Sequence, residues 1–181
     1  RSNMKAAAEG LSDRVRARDK RPDQPARTIS RVPVSKHISA ELLYQALADL
    51  RSPDSIIVEE APTARGALHD HFPIERPRGF FATASGGLGY GLPASVGAAL
   101  TRPDQPVICI IGDGSSMYAI QSLWSAAEYD ADLLVIVLNN GGYAALKGMA
   151  DRDSRVDGVD IGHIDFVEIA QAQGCPARRC D

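Results

Sequence analysis

No stretch of the 181 residues is apolar for long enough to cross a bilayer, although 44% of them are hydrophobic, enough to bury a substantial core. A soluble globular domain is therefore expected, with no membrane partner. Cysteine is scarce. The three present, Cys109, Cys175 and Cys180, show no CxxC spacing and follow no secretory signal, which argues against a disulfide scaffold and points to a reducing, cytoplasmic compartment. Cys109 sits inside an apolar run and is read as a small hydrophobe. Histidine is nearly as rare. His69-Asp70-His71 brings two imidazoles together, but no third or fourth ligand stands at a recognised spacing, so a zinc centre is not expected and an exposed or helix-terminal pair is. The formal net charge is only −3, and the basic residues between Lys5 and Lys36 have no interleaved aromatics, which removes the usual footprint of a nucleic-acid partner. Internal repeats and low-complexity tracts are absent.

The glycine motifs fail the commonest templates. In Gly87-Leu88-Gly89-Tyr90-Gly91, Leu92 occupies the position where a dinucleotide fingerprint needs its last glycine. From Gly142 to Lys147, Leu146 stands where a phosphate loop has glycine before its lysine, and no Ser or Thr follows.

What is present lies between Gly112 and Asn140. The run Val107 to Ile111 has the length and β-branched content of a buried parallel strand, so Asp113 stands at its carboxyl end, where ligands of open α/β sheets bind. Gly112 and Gly114 are read as allowing a sharp turn, and Ser115-Ser116 as an N-cap pair whose amides face an anion. The helix that follows is expected to turn Met117, Ile120, Trp124 and Ala127 to the sheet, with Trp124 in the core and Gln121, Ser125 and Glu128 outward. A second buried strand, Leu133 to Leu138, ends at Asn139-Asn140. A right-handed strand–helix–strand crossover makes the two strands parallel and brings Asp113 and Asn140 to one edge. A carboxylate, an amide oxygen and a backbone carbonyl there suit magnesium, which takes few protein ligands and leaves places for phosphate oxygens.

These residues are similar to a known family. The Gly112-Asp113-Gly114 triplet, 24 intervening residues and Asn139-Asn140 resemble the cofactor motif of thiamine-diphosphate-dependent enzymes. Ser85 to Gly97 and Asn139 to Leu146 resemble the benzoylformate decarboxylase type, and the likeness runs over roughly residues 38 to 174. The resemblance implies that Asp113, Asn140 and the carbonyl of Gly142 hold magnesium, with Thr63, Gly114, Ser115 and Tyr143 near the diphosphate. It implies that the Gly86 carbonyl takes the aminopyrimidine amine and that Leu88 is the wedge bending the cofactor. Leu146 and Met149 would border the substrate entrance. Gly87-Leu88-Gly89 replaces the longer turn usual in acetolactate synthases, which favours the decarboxylase branch. A 2-oxo acid decarboxylase is therefore expected, with an acetolactate synthase-like carboligase or a non-catalytic cofactor-binding module as alternatives. None of the glutamates here matches the family's catalytic glutamate. The resemblance puts that residue in a pyrimidine-binding domain of a neighbouring subunit, and implies a homo-oligomer, a tetramer in full-length form.

The expected fold is a doubly wound α/β domain with a mainly parallel sheet. Arg1-Ser2-Asn3 reads as a tag remnant before Met4, and residues 1–37, interrupted by Pro22, Pro25 and Pro33, as a basic interdomain linker or frayed helix. Residues 38–181 read as the cofactor domain, truncated at its C-terminus. Within it, Ser39 is a candidate cap for a helix with Leu42, Leu43, Ala46 and Leu50 inward, Ser55 to Val58 a strand, and Glu59 to Thr63 a turn. Gly91 to Leu100 reads as a small-residue helix, and Ile164 to Gln173 as a helix stopped by Gly174.

Overall fold

A computed structural model of the chain describes residues 3–16, 29, 31–149 and 157–180. The tag positions Arg1 and Ser2, and the linker prolines Pro22 and Pro25, lie outside the described residues. An exposed helix α1 (Met4–Ser12), capped by Asn3, opens the chain. The domain then runs α2 (Ala40–Leu50), β1 (Ile56–Glu60), a 3-10 turn (Pro62–Ala64), α3 (Arg65–His71), β2 (Phe80–Ala82), α4 (Gly91–Thr101) and β3 (Val107–Gly112). It continues through α5 (Asp113–Ser116), α6 (Ser122–Glu128), β4 (Leu133–Leu138), α7 (Ala144–Met149) and α8 (Phe166–Ala172).

The strands form one sheet in the order β2-β1-β3-β4, with every neighbouring pair parallel. Alternation along the strands divides the core into two layers. Ile57, Ile108 and Ile110 point to α2 and α3, where they meet Tyr44, Leu68 and Phe72. Ile56, Val58, Val107, Cys109 and Ile111 point the other way, onto Leu92 and Ala99 of α4, Leu123 of α6 and Ala170 of α8. Both faces of β1 and β3 are therefore covered, as the expected doubly wound fold requires, and each fully buried aliphatic side chain contributes about 1.5–3 kcal/mol.

Two helices turn a different face inward from the one their spacing predicts. In α2, Ala40, Tyr44, Leu47 and Ala48 meet the core instead of Leu42, Leu43, Ala46 and Leu50; Tyr44 is wholly buried while Leu50 is 84% exposed. Tyr44 meets the Phe72 ring edge-on at 6.3 Å, and this aromatic contact selects between two comparably apolar stripes. The expected cap is present, with Ser39 accepting from the Leu42 amide at 3.3 Å.

Trp124 is not in the core: it is 55% exposed, and Ser122, Leu123 and Ala126 are buried in its place. The cause is local. Between α5 and α6, Tyr118, Ala119, Ser122, Leu123 and Trp124 each donate to the carbonyl three residues back. Such turns advance about 120° per residue instead of 100°, so five residues rotate the buried face by about one position, from Trp124 to Leu123. The helical turn also starts earlier than expected. Gly112 is the N-cap and Ser115 and Ser116 lie inside α5. Finally, β4 is an edge strand among the described residues and only half-buried, with Leu134 52% exposed, because its second side lacks a paired strand there.

Candidate functional site

The carboxyl ends of β3 and β4 sit side by side, with Gly112 in register with Leu138, so the loops leaving them start together. Asp113, the first residue of α5, is 2% exposed. Its Oδ1 accepts from the Gly114 amide and its Oδ2 from the Gly142 amide, each at 2.8 Å. The second bond joins the two loops across 29 residues of sequence. Each carboxylate oxygen thus spends one lone pair on a backbone amide and keeps another.

Two glycines make this arrangement possible. Gly112 and Gly114 are absent from the positive-φ positions, so the change of direction from β3 into α5 uses no left-handed glycine. Gly114 is required for space: a Cβ there would lie 2.5 Å from Cε1 of Tyr143. Gly142, at φ +153°, has the Val159 carbonyl oxygen 2.1 Å from where a Cβ would stand. The Asn139–Tyr143 loop is strapped from outside by the segment at Val159. Tyr143 donates its amide to the Val159 carbonyl at 2.8 Å, Ile161 donates to the Gly141 carbonyl at 3.1 Å, and Lys147 pairs with Asp160. Asn139 closes a turn by accepting from Gly141, leaving Asn140 exposed.

Tyr143 covers Gly114 and meets Tyr118 edge-on at 6.3 Å. Burial, with Tyr118 and then Asp113 nearby, raises its phenol above the ordinary value, so it stands as a neutral O–H. The remaining candidates come from neighbouring loops of the same sheet edge. Thr63 is exposed in the Pro62–Ala64 turn, which packs against α7, the helix bearing the half-exposed Leu146. The side chain of Met149 lies outside the described residues. Gly86, exposed at φ +70°, and the half-buried Leu88 follow β2 on a loop that reaches Tyr118 at Gly89.

Sequence reasoning missed Glu59 and Glu60, which extend β1 where a turn is expected, and both are wholly buried. Glu59 accepts from the Ala61 amide at 2.6 Å and pairs with Arg65 at 2.8 Å, fixing the start of α3. Glu60 points to the opposite layer and binds the Gly89 and Gly91 amides. The signal was available: two adjacent carboxylates closing a strand covered on both faces must each be buried, on alternate sides.

Among the described residues no three His, Cys, Asp or Glu side chains converge on a metal-sized site. His71 is buried in the last turn of α3 and His69 exposed, a helix-terminal pair. A cation beside Asp113 would therefore need amide, carbonyl or ligand oxygens as well as the carboxylate. One concavity, lined by Arg51, Ser55, Phe72 and Arg76, lies at the amino-terminal end of β1 and shares no residue with this group.

A parallel α/β sheet with a buried carboxylate and glycine-rich loops at its carboxyl edge has the layout in which open α/β domains receive their ligands. Residues 63–181 match the family model described as thiamine pyrophosphate enzyme, C-terminal TPP binding domain, and the chain belongs to that family. It is 40% identical over 139 residues to the benzoylformate decarboxylase of Pseudomonas aeruginosa, covering 76% of this chain and 26% of that protein. It is 36% identical over 99 residues to the acetolactate synthase isozyme 1 large subunit of Escherichia coli, covering 54% of this chain and 18% of that one. The solved structure of the thiamine diphosphate-dependent 4-hydroxybenzoylformate decarboxylase of Rhodococcus jostii RHA1 superposes with a TM-score of 0.79 at 36% identity, over 93% of this chain and 33% of that one. The chain thus spans between 18% and 33% of the length of these relatives.

Proposed function

We propose that this chain is the diphosphate-binding domain of a 2-oxo acid decarboxylase of the benzoylformate type, and that it takes up its cofactor together with magnesium. The observation that carries the proposal is the Asp113 carboxylate, buried, fixed by one amide on each oxygen, and still holding a free lone pair on each. That donor fits a hard divalent cation, which the exposed Asn140 amide and the Gly142 carbonyl would complete. Gly114, Ser115, Tyr143 and Thr63 are assigned to the diphosphate, the Gly86 carbonyl and Leu88 to the ring end, and Leu146 and Met149 to the substrate entrance. Thiamine diphosphate, when bound, supplies the electron sink that lets a 2-oxo acid lose carbon dioxide. The chain's own residues would orient it: Asp113 would neutralise part of the cation's charge, Tyr143 would offer a neutral phenol beside the site, and Leu88 would supply an apolar side chain to the ring end.

The proton chemistry is assigned to a glutamate on a pyrimidine-binding domain of a neighbouring subunit, within a homo-oligomer, a tetramer in the full-length enzyme. Residues 1–37 are proposed as a connector preceding the cofactor domain at 38–181. Three free cysteines fit a reducing, cytoplasmic setting. The direct Gly87-Leu88-Gly89 turn and the similarity to two benzoylformate-type decarboxylases support an aryl 2-oxo acid as substrate. The similarity to acetolactate synthase supports a carboligase as the second reading. Steady-state kinetics of the complete enzyme with benzoylformate, pyruvate and a branched aliphatic oxo acid separate the two. The highest specificity constant is expected for the aryl acid; preference for pyruvate with acetolactate as product sinks the decarboxylase reading.

A further inference from the structure

Glu60, the last residue of β1, is wholly buried, and its partners among the described residues are backbone amides instead of a cation. Oε1 accepts from the Gly89 amide at 2.7 Å and Oε2 from the Gly91 amide, reaching 29 and 31 residues along the chain. The approach is close enough that a Cβ on Gly91 would stand 2.9 Å from Cβ of Glu60. Gly89, at φ +95°, is hemmed from the other side by Tyr118, whose Cβ lies 3.1 Å from the position a Gly89 Cβ would take. The loop is thus gripped immediately after Leu88. Burying an unpaired carboxylate costs several kcal/mol, which two charge-assisted hydrogen bonds offset only in part. As packing alone, an apolar side chain would fill this place at lower cost.

We infer that Glu60 is a positioning residue: its bidentate hold on Gly89 and Gly91 sets where the Gly86–Leu88 segment stands over the sheet edge, and so how the ring end of thiamine diphosphate is received. It acts through that loop and leaves the diphosphate grip around Asp113 untouched. The inference rests on the thiamine-diphosphate reading above.

Calorimetric titration of the full chain with two ligands, each with magnesium, tests it: thiamine diphosphate, which uses both the grip and the loop, and inorganic pyrophosphate, which uses the grip alone. Glu60→Gln retains shape but turns an amide N–H toward a backbone donor, removing one bond to a charged acceptor. Affinity for thiamine diphosphate is expected to fall at least about tenfold while pyrophosphate affinity stays within about twofold of wild type. Gly91→Ala keeps the carboxylate but pushes the loop away, and the same selective loss is expected; it decides the matter if Glu60→Gln does not fold. Parallel loss of both ligands in a folded variant, or unchanged thiamine diphosphate affinity, overturns the positioning role. A wild-type chain that binds pyrophosphate but gains nothing from the thiamine rings overturns the functional reading itself, whatever the variants do.

Discussion

Replacing Asp113 by Asn separates the structural and cation-binding parts of one carboxylate. Asp113 accepts amides from Gly114 and Gly142 at 2.8 Å each while 2% exposed. Asn offers one oxygen, so whichever way its amide turns, its NH2 faces a backbone N–H and one bond is lost. A hydrogen bond to a charged group contributes about 1.5–3 kcal/mol. Stability should fall by that amount, a sizeable share of the roughly 5–15 kcal/mol typical of a domain, yet leave the chain folded. The effect on ligand is larger in proportion. Unit charges 4 Å apart at an effective dielectric of 20 interact by about 4 kcal/mol, and a neutral amide forfeits most of that attraction for a divalent cation. Magnesium-dependent affinity for thiamine diphosphate is expected to drop at least about a hundredfold, and pyrophosphate with it. Urea unfolding without ligand reads the first quantity, and calorimetric titration with and without a chelator reads the second. A folded Asp113→Asn variant that binds the cofactor with wild-type affinity refutes the assignment of the cation to this carboxylate.

Asn140→Ala should weaken the same titration in the same direction by less, since a neutral amide stabilises a cation less than a carboxylate does. Gly114→Ala forces a methyl into the Tyr143 ring and should cost about 1–3 kcal/mol in thermal unfolding, with most of it recovered in the Gly114→Ala/Tyr143→Ala double variant. Burial raises the Cys109 thiol from 9.0 to about 12, so the folded state keeps a proton that the unfolded chain gives up. That contribution is complete below pH 9 and lost toward pH 12, at a slope of about 1.4 kcal/mol per pH unit; Cys109→Ala should flatten the alkaline limb of a stability–pH profile. The isolated chain should turn over no 2-oxo acid, because the groups assigned to proton transfer lie on another domain; product formation at rates comparable to intact relatives rejects that division of labour.

Local pattern determined much of this molecule. Val107 to Ile111 and Leu133 to Leu138 read as strands, the crossover between them dictated parallel pairing, and Asp113 therefore had to emerge beside Asn139-Asn140 on the ligand-binding edge. The family motif is written in the same residues, as is the Ser39 cap, because a cap joins positions only three residues apart. Tertiary structure alone decided what depends on a partner distant in sequence. Helix α2 buries Tyr44 because Phe72, 28 residues further along the chain, waits beneath it. Gly114 is glycine because a ring from another loop rests on it, and Glu60 is buried because Gly89 and Gly91 bring it the amides a carboxylate needs away from water. Periodicity reports which residues share a face; only the assembled neighbours decide which face is covered and which polar group has a partner there.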